Sequence, residues 1–512
     1  MASLFAESPF APAGGDAREA GSHDDGAAAG GACALADRAP GEDLSRPSDA
    51  RGGRAPVERA AAAAAQGASA APIASTASTA STASTASTAS TASTPPTTSP
   101  ALVPPEFAST ASDDARLDAS LAELAPRIAE GAARHDADGS FPHAHFEWLH
   151  AHGLIAQAVP REYGGGGATL ARARRIVGAI ARADAATALV LTMTYLQHRA
   201  LGRADSRWPA AARRAVFASA VADGALINAL RVEPELGSPA RGGLPASVAR
   251  RDGDGWRISG HKLYSTGIPA LRWLAVWART DEARPRVGVF LVPRDAARGQ
   301  AGGDGIRVIE SWNHLGLRAS GSHEVVFDDV RIPLDHAVDL RAPDAWAPTG
   351  ASQADVDAHA DQQAWMIVLL GSLYDALARA ARDWVVGFAK ARAPASLGAP
   401  LATLPRVQEI VGEIDALLQV NRVLLDDAAA RADAGAPLDV DASGLVKFTV
   451  TSHAIRVTEL ALQLSGNHGL SRHNPLERHH RDALCSRIHT PQDDSILVAA
   501  GRAAFAAHGD GR

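Results

Sequence analysis

The sequence predicts a multidomain α+β protein with an N-terminal helical domain, a small central antiparallel β-barrel or sandwich, and a C-terminal four-helix bundle. Apolar residues recur at helical spacing before residue 225 and again after about residue 363, as in amphipathic helices. Between these regions, short runs rich in Val, Ile, Phe and Trp are separated by Gly, Pro and Asp, which is typical of strands and turns. Such segregation of helices and strands differs from the alternation expected of a doubly wound α/β fold.

The first 115 residues form a low-complexity tail. Seven copies of Ala-Ser-Thr run from Ala74 to Thr94, and the flanking sequence is rich in Ala, Gly, Ser, Thr and Pro. Because such a segment cannot bury enough apolar surface to offset the entropy lost on ordering, we predict that the tail is disordered. Its composition fits an idle extension and a tether to a partner alike.

The rest of the chain is too long for one ordinary core and divides into three predicted domains. Residues 116–224 are the helical domain, residues 225–340 the β-domain, and residues 341–512 the helical bundle. The bundle is expected to begin with a loop over residues 341–362, ahead of its first long helix. The predicted strands lie in GWRISGHKLYSTG, RWLAVWART, VGVFLVP and HEVVFDDVRIP.

Composition excludes several classes of function. The formal net charge is −7 and charges of both signs are interspersed, so no basic stripe indicates nucleic-acid binding. The apolar run ATALVLTM is too short to span a membrane, and the N-terminus has no signal-peptide pattern. Two cysteines, Cys33 and Cys485, give no disulfide framework, which fits a reducing cytoplasm.

Six motifs together resemble one family. They are GLIAQAVPREYGGGGATL, ARADAATAL, EPELGSP, GHKLYSTG, LGLRASGSHEVVFDDVRIP and QLSGNHGLSRHNPLERHHRDA. Their order and spacing resemble the acyl-CoA dehydrogenase superfamily from about Asp118 to the end of the chain. The resemblance implies a flavin, FAD or alternatively FMN, held between the β-domain and the C-terminal bundle, usually in a homotetramer; a dimer is also compatible.

The resemblance assigns flavin contacts to single residues of this chain. In EPELGSP, Gly237 and Ser238 match the loop that lines the flavin and the substrate, and Ser238 is also the substrate-binding candidate. Val232 stands where the family usually has Thr. In KLYSTG, Tyr264 matches the aromatic that covers the isoalloxazine, and Thr266 matches the hydroxyl near N5.

A second set of candidates lies in the C-terminal bundle. Arg392 matches an arginine that contacts the flavin pyrophosphate from a neighbouring subunit. In QLSGNHG, Gln463, Gly466 and Asn467 match the turn that receives the adenosine diphosphate part, although the usual second glycine is Asn467 here. The histidines of RHNPLERHHRD do not predict a metal site, because adjacent histidines on a helix point in different directions.

The segment RIHTPQDDSI, residues 487–496, is where most of the family keeps its catalytic glutamate. Counting on from RDA, Thr490 occupies that place, and a threonine hydroxyl is far too weakly acidic to act as this base. The other catalytic candidates are His489, Asp493 and Asp494.

Three alternatives remain open. The chain is an acyl thioester α,β-dehydrogenase in which Asp493 or Asp494 serves as the base, or a flavin-dependent monooxygenase of the same fold that needs no such base, or a non-catalytic flavin-binding relative. In the monooxygenase branch, HTPQDD resembles a common His-Thr pair followed by Asp, and His489 would hydrogen-bond the flavin–oxygen adduct. The dehydrogenase is placed first because its motif set is fuller. The expected partners are an acyl-CoA or another small substrate, and an electron-transfer flavoprotein, O2 or a flavin reductase.

Overall fold

The computed structural model describes residues 111–235, 243–294, 305–346 and 352–509. The N-terminal region is helical, as the apolar periodicity predicts, and its described residues form five α-helices: α1 Ala111–Asp138, α2 His143–Ala151, α3 Leu170–Ala183, α4 Ala185–Gly202 and α5 Ala210–Asp223. Helix α1 begins at Ala111, inside the segment predicted to be tail. The prediction of a disordered tail otherwise falls on residues outside the described part of the chain.

Side-chain caps fix where α3 and α4 begin. Thr169 accepts a hydrogen bond from the Arg172 N–H at the start of α3, and Asp433, from the C-terminal region, accepts from the N–H groups of Leu170 and Ala171. Asp184 ends α3 and caps α4. Because free N–H groups at a helix start need acceptors, the cap from Asp433 ties the two helical regions together.

The central region is one mixed sheet of eight strands. They are β1 Leu226–Leu230, β2 Val248–Asp252, β3 Gly255–Lys262, β4 Leu271–Thr280, β5 Val287–Pro293, β6 Ile306–Ile309, β7 Glu324–Pro333 and β8 Ala337–Arg341. The strand order is β6-β7-β3-β2-β4-β5-β8, and β1 pairs with β4. The β1–β4 and β2–β4 pairs are parallel, so the prediction of a purely antiparallel sheet is wrong for these two pairs.

The C-terminal region is built on three long helices: α6 Gln353–Ala391, α7 Pro405–Asp433 and α8 Val440–Ser465. Three shorter helices follow: α9 Asn467–Leu470, α10 Leu476–Leu484 and α11 Asp493–Gly509. The loop predicted for residues 341–362 is wrong from Gln353 onward, because Ser352 caps a helix of 39 residues there. Within the described residues, α6 alone is long and apolar enough to span a membrane by composition. Most of that apolar window is buried inside the protein, as in the core helix of a bundle.

One hydrophobic core joins all three regions. It includes Leu124 of α1, Ile180 of α3, Phe290 of the sheet, and Leu373 and Leu460 of the bundle. A second cluster lies around Phe217 of α5 and Trp277 of β4, on the other side of the sheet. The helix–strand–helix organisation predicted from the sequence is therefore confirmed, but the three regions share their main core.

Candidate functional site

The turn after strand β3 places the first group of candidate residues. Tyr264 has a φ of 54°, in the left-handed region that bulky residues rarely adopt. The residue is also 53% exposed. Two residues on, the Thr266 hydroxyl lies 3.0 Å from the Ser322 hydroxyl, which lies 2.7 Å from the Ser320 hydroxyl. The turn therefore places an exposed aromatic ring near the partly buried Thr266 hydroxyl, which two buried serine hydroxyls support from the 312–323 loop.

Two further aromatic residues extend this surface. The rings of Trp312 and His314 stack with centroids 3.6 Å apart, and Tyr264 meets both edge-on. The indole N–H of Trp312 donates to the Leu317 carbonyl at 3.0 Å, which fixes the ring. Neither Trp312 nor His314 was among the residues predicted from the sequence, because both lie just ahead of LGLRASGSHEVVFDDVRIP and outside all six motifs.

A buried ion pair supports the same end of the sheet. The Lys262 ammonium lies 2.6 Å from Glu233 and donates to the Trp277 carbonyl. Glu233 also accepts from the N–H groups of Ala246 and Ser247. Both charged side chains are almost fully buried, so the pair holds the strand that leads to Tyr264 against its neighbours.

The remaining flavin candidate of this region, Val232, forms an isolated bridge with Leu263, whose N–H donates to the Val232 carbonyl at 2.9 Å. The backbone next to the Tyr264 turn is thereby fixed without the side chain that the family usually supplies. Gly237 and Ser238 lie outside the described residues.

The loop of residues 312–323 connects the β-domain site to the C-terminal region. The Leu317 N–H donates to Asp482 of α10 at 2.6 Å. Arg481, next to it, forms ion pairs with Asp136 and Glu477 and donates to the Leu315 carbonyl. Burial raises the pKa of Asp482 to about 7. Helix α10 thus holds the loop through two hydrogen bonds, at Leu317 and Leu315. The ion pairs of Arg481 fix the side chain that makes the second bond.

Close packing at Gly316 gives a first testable prediction. A Cβ atom there would lie 2.4 Å from the Arg481 carbonyl oxygen and 2.8 Å from the Asp482 nitrogen. Since backbone atoms cannot move aside cheaply, we expect Gly316→Ala to lower the free energy of unfolding by about 1–3 kcal/mol, measured by urea denaturation. Gly412→Ala is the matched control, because it meets nothing within 4 Å. Equal stability of the two variants would contradict the close approach of loop and helix.

A tyrosine of helix α6 forms a hydrogen bond with His489. Its Nδ1 atom lies 2.7 Å from the hydroxyl of Tyr374, a fully buried residue. Burial, together with the nearby charge of Lys447, lowers the pKa of His489 to about 4. The imidazole is therefore neutral near pH 7.

The two aspartates of the same segment differ from each other. Asp493 lies 2.6 Å from the buried ammonium of Lys447, which also donates to the Ser486 carbonyl at 2.8 Å. Asp494 is exposed and accepts from the Ser495 N–H. Thr490 is partly buried in the turn between His489 and Asp493. Lys447 thus ties helix α8 to both sides of the segment.

The other predicted flavin contacts lie together at one end of the bundle. Arg392 caps the C-terminus of α6, Gln463 is in the last turn of α8, and Gly466, with φ 54°, leads to Asn467 at the start of α9. Phe388 of α6 contacts His468 of α9, with ring centroids 5.2 Å apart. The structure therefore brings Arg392, Gln463, Gly466 and Asn467 to one exposed end of the bundle.

The histidine-rich segment divides as the helix geometry predicts. His479 is buried, whereas the His480 ring bonds the Thr458 hydroxyl. Across residues 111–235, 243–294, 305–346 and 352–509, no group of three His, Cys, Asp or Glu side chains is arranged to hold a metal ion.

Comparison with known proteins identifies the family. Family models for the acyl-CoA dehydrogenase N-terminal, middle and C-terminal domains match residues 114–202, 231–330 and 369–492. The chain belongs to the acyl-CoA dehydrogenase family. A putative acyl-CoA dehydrogenase of Bacillus subtilis, YdbM, is 30% identical over 393 residues, covering 75% of this chain and 95% of the relative. This family membership makes the chain a relative of flavoprotein oxidoreductases.

Members with other reactions are equally similar. The L-evernosamine nitrososynthase of a Micromonospora species is 31% identical over 411 residues, covering 75% of this chain and 88% of the relative. A solved structure of KijD3 with FMN and an amino-sugar nucleotide is 29% identical, with a TM-score of 0.65, covering 78% of this chain and 94% of KijD3. Butyryl-CoA dehydrogenase of Megasphaera elsdenii shares the fold at 20% identity, with a TM-score of 0.66, covering 78% of this chain and all of that enzyme.

Proposed function

We propose that this family member is a flavin-dependent monooxygenase, which uses reduced flavin and O2 to oxygenate a small molecule. One observation carries the proposal: this chain has Thr490 where the family's dehydrogenases keep a glutamate, and the preceding residue is a neutral, partly buried histidine, His489, held by Tyr374. When bound, the reduced flavin supplies the electrons and the reaction site for O2. The proposed cofactor is FMN, with FAD as the alternative, because the KijD3 structure contains FMN.

The residues present fit a flavin. Tyr264, Trp312 and His314 form an aromatic surface that is partly open, and flat rings suit stacking against the flat isoalloxazine. Beside it, Thr266 offers a hydroxyl that can donate to a ring nitrogen or oxygen. The exposed Arg392 suits a phosphate group, since a guanidinium can bind phosphate through two parallel hydrogen bonds.

Dehydrogenation of an acyl thioester, the first alternative from the sequence, requires a carboxylate within reach of the substrate α-proton. Asp493 is engaged by Lys447 at 2.6 Å. Asp494 is exposed in the first turn of α11, where one of its oxygens accepts from the next N–H group. Both contacts support oxygenation, a reaction that uses neither carboxylate as a base.

The relatives suggest the first substrates to test. The nitrososynthase and KijD3 are linked by name or title to amino sugars. We therefore propose that the substrate is a small polar molecule, and that the oxidised atom is an amine nitrogen or another electron-rich centre. A flavin reductase is then the proposed source of reduced flavin, and a second copy of the chain is the proposed partner at the exposed Arg392 end of the bundle.

A paired experiment separates the two reactions. The purified protein, loaded with FAD or FMN, is mixed anaerobically with a series of acyl-CoAs, and separately its reduced form is mixed with O2 and amino-sugar nucleotides. Oxygen incorporation into the amine without bleaching of the flavin by any thioester supports the proposal. Prompt anaerobic bleaching by an acyl-CoA, with no oxygenated product, overturns it in favour of dehydrogenation.

The His489→Ala variant provides a second prediction. Loss of one positioned hydrogen-bonding group at the reacting centre should lower the rate of product formation by about 100-fold. Binding of oxidised flavin, followed by fluorescence quenching, should change little. Asp494→Asn is measured beside it as a test of the relocated base, and a larger loss in this variant than in His489→Ala would contradict the assignment.

A further inference from the structure

The hydrogen bond between helix α6 and the C-terminal segment determines which nitrogen of His489 carries a proton. We propose that Tyr374 is a positioning residue whose hydroxyl donates a hydrogen bond to His489 Nδ1. The imidazole then carries its own proton on the other ring nitrogen, Nε2. His489 then acts as a hydrogen-bond donor and not as a general base. This inference rests on the proposed function for its catalytic meaning, but the position of the proton can be measured without it.

The direction of the bond follows from the surroundings of Tyr374. The residue is 0% exposed, and His489 Nδ1, at 2.7 Å, is the one partner found for its hydroxyl among the residues that the structure describes. If Nδ1–H were the donor, the phenolic proton would be buried without an acceptor, which costs more than an ordinary hydrogen bond contributes. The arrangement that satisfies both groups has the tyrosine as donor.

The charges around the pair favour the same protonation state. Burial raises the pKa of Tyr374 well above its usual value, and the neighbouring Asp482 adds to the shift, so the phenol keeps its proton. Lys447 is held by Asp493 and the Ser486 carbonyl. Its positive charge disfavours protonation of the nearby His489 to the imidazolium. A neutral imidazole that accepts at Nδ1 must carry its proton on Nε2.

This tautomer matters for the proposed chemistry. An Nε2–H group can donate to an oxygen atom that gains negative charge as the reaction proceeds. The same group has no free lone pair, so it cannot remove a substrate proton. Tyr374 thereby makes His489 suitable for stabilising an oxygenation reaction and unsuitable for replacing the missing glutamate.

Neutron diffraction from crystals of the deuterated full-length protein tests the assignment directly. We expect a deuteron on the Tyr374 hydroxyl pointing to Nδ1 and a second on Nε2 of His489. A deuteron on Nδ1 with none on Nε2 overturns the proposal. This measurement needs neither substrate nor turnover, so it stands even if the protein proves to be a dehydrogenase.

The functional arm uses Tyr374→Phe. Removal of one net hydrogen bond should shift the tautomer ratio by about 3- to 10-fold, and the same variant should release more H2O2 per molecule of product while binding flavin as before. Tyr195→Phe is the matched control, since Tyr195 is equally buried and its hydroxyl donates to the Leu154 carbonyl. If both variants show the same H2O2 yield as the wild type, Tyr374 has no positioning role. If the wild type forms no oxygenated product at all, the proposed function fails, while the neutron result still decides the tautomer.

Discussion

Replacing Lys262 with Met is expected to lower the free energy of unfolding by about 3–5 kcal/mol at pH 7, the usual cost of leaving one partner of a buried ion pair without the other. Glu233 is 1% exposed, and its carboxylate lies 2.6 Å from the Lys262 ammonium. In the variant, Glu233 would keep the backbone N–H donors of Ala246 and Ser247 but lose its countercharge, and the Trp277 carbonyl would lose the ammonium. Urea denaturation measures the change.

Two further variants make this prediction specific. Arg286→Met breaks an exposed ion pair with Glu282 at a similar distance, and it should cost less than about 1 kcal/mol because solvent screens the charges. The double variant Lys262→Met with Glu233→Gln removes the unpaired charge, so it should recover part of the loss. If Lys262→Met costs no more than Arg286→Met, the ion pair at the base of the Tyr264 turn is not desolvated as the structure has it.

Periodicity predicted most of the fold, and long-range pairing explains what it missed. The runs GWRISGHK, RWLAVWART and VGVFLVP each lie within an observed strand, because their composition alone fits a buried sheet. The parallel pairing of β1 and β2 with β4 depends on contacts far apart in the chain. Helix α6 was predicted to begin too late because its first turns, QADVDAHADQ, are polar and Asp-rich. The Ser352 cap and tertiary packing nevertheless keep them helical.

The candidate site shows a similar division between local and distant information. Motif order pointed to Tyr264, Thr266 and His489, and the structure gives each of them a defined neighbour. The same motifs could not identify Tyr374 or Lys447, because these residues lie in apolar helical stretches and meet the C-terminal segment across 115 and 46 residues of chain. A lysine or tyrosine inside an otherwise apolar helix face was the available signal, since such groups are rarely buried without a partner.

Those distant contacts change the meaning of the C-terminal segment. In sequence, His489, Asp493 and Asp494 are three polar residues of equal interest. In the structure, His489 is hydrogen-bonded to the phenol of Tyr374, Asp493 is paired with the buried ammonium of Lys447, and Asp494 is exposed. The difference arises from the helices on which their partners lie, and it separates His489, the residue proposed to act in the reaction, from Asp493, which fixes the segment.

Asp482→Asn is expected to stabilise the protein by up to about 4 kcal/mol at pH 8 and to have almost no effect at pH 4. Burial raises the pKa of Asp482 from 3.8 to about 7, and each unit of such a shift is worth about 1.4 kcal/mol. Because the folded carboxyl binds a proton more tightly than the unfolded one, its contribution to stability is complete below pH 3.8 and is lost as the pH rises through 7. Asparagine stays neutral and keeps an oxygen for the Leu317 N–H. Urea denaturation of both proteins across this range measures the difference, with exposed Asp344→Asn as the control. A difference that does not grow between pH 4 and pH 8 would mean that Asp482 stays ionised in the folded protein, and that the loop of residues 312–323 is held on α10 by a charge.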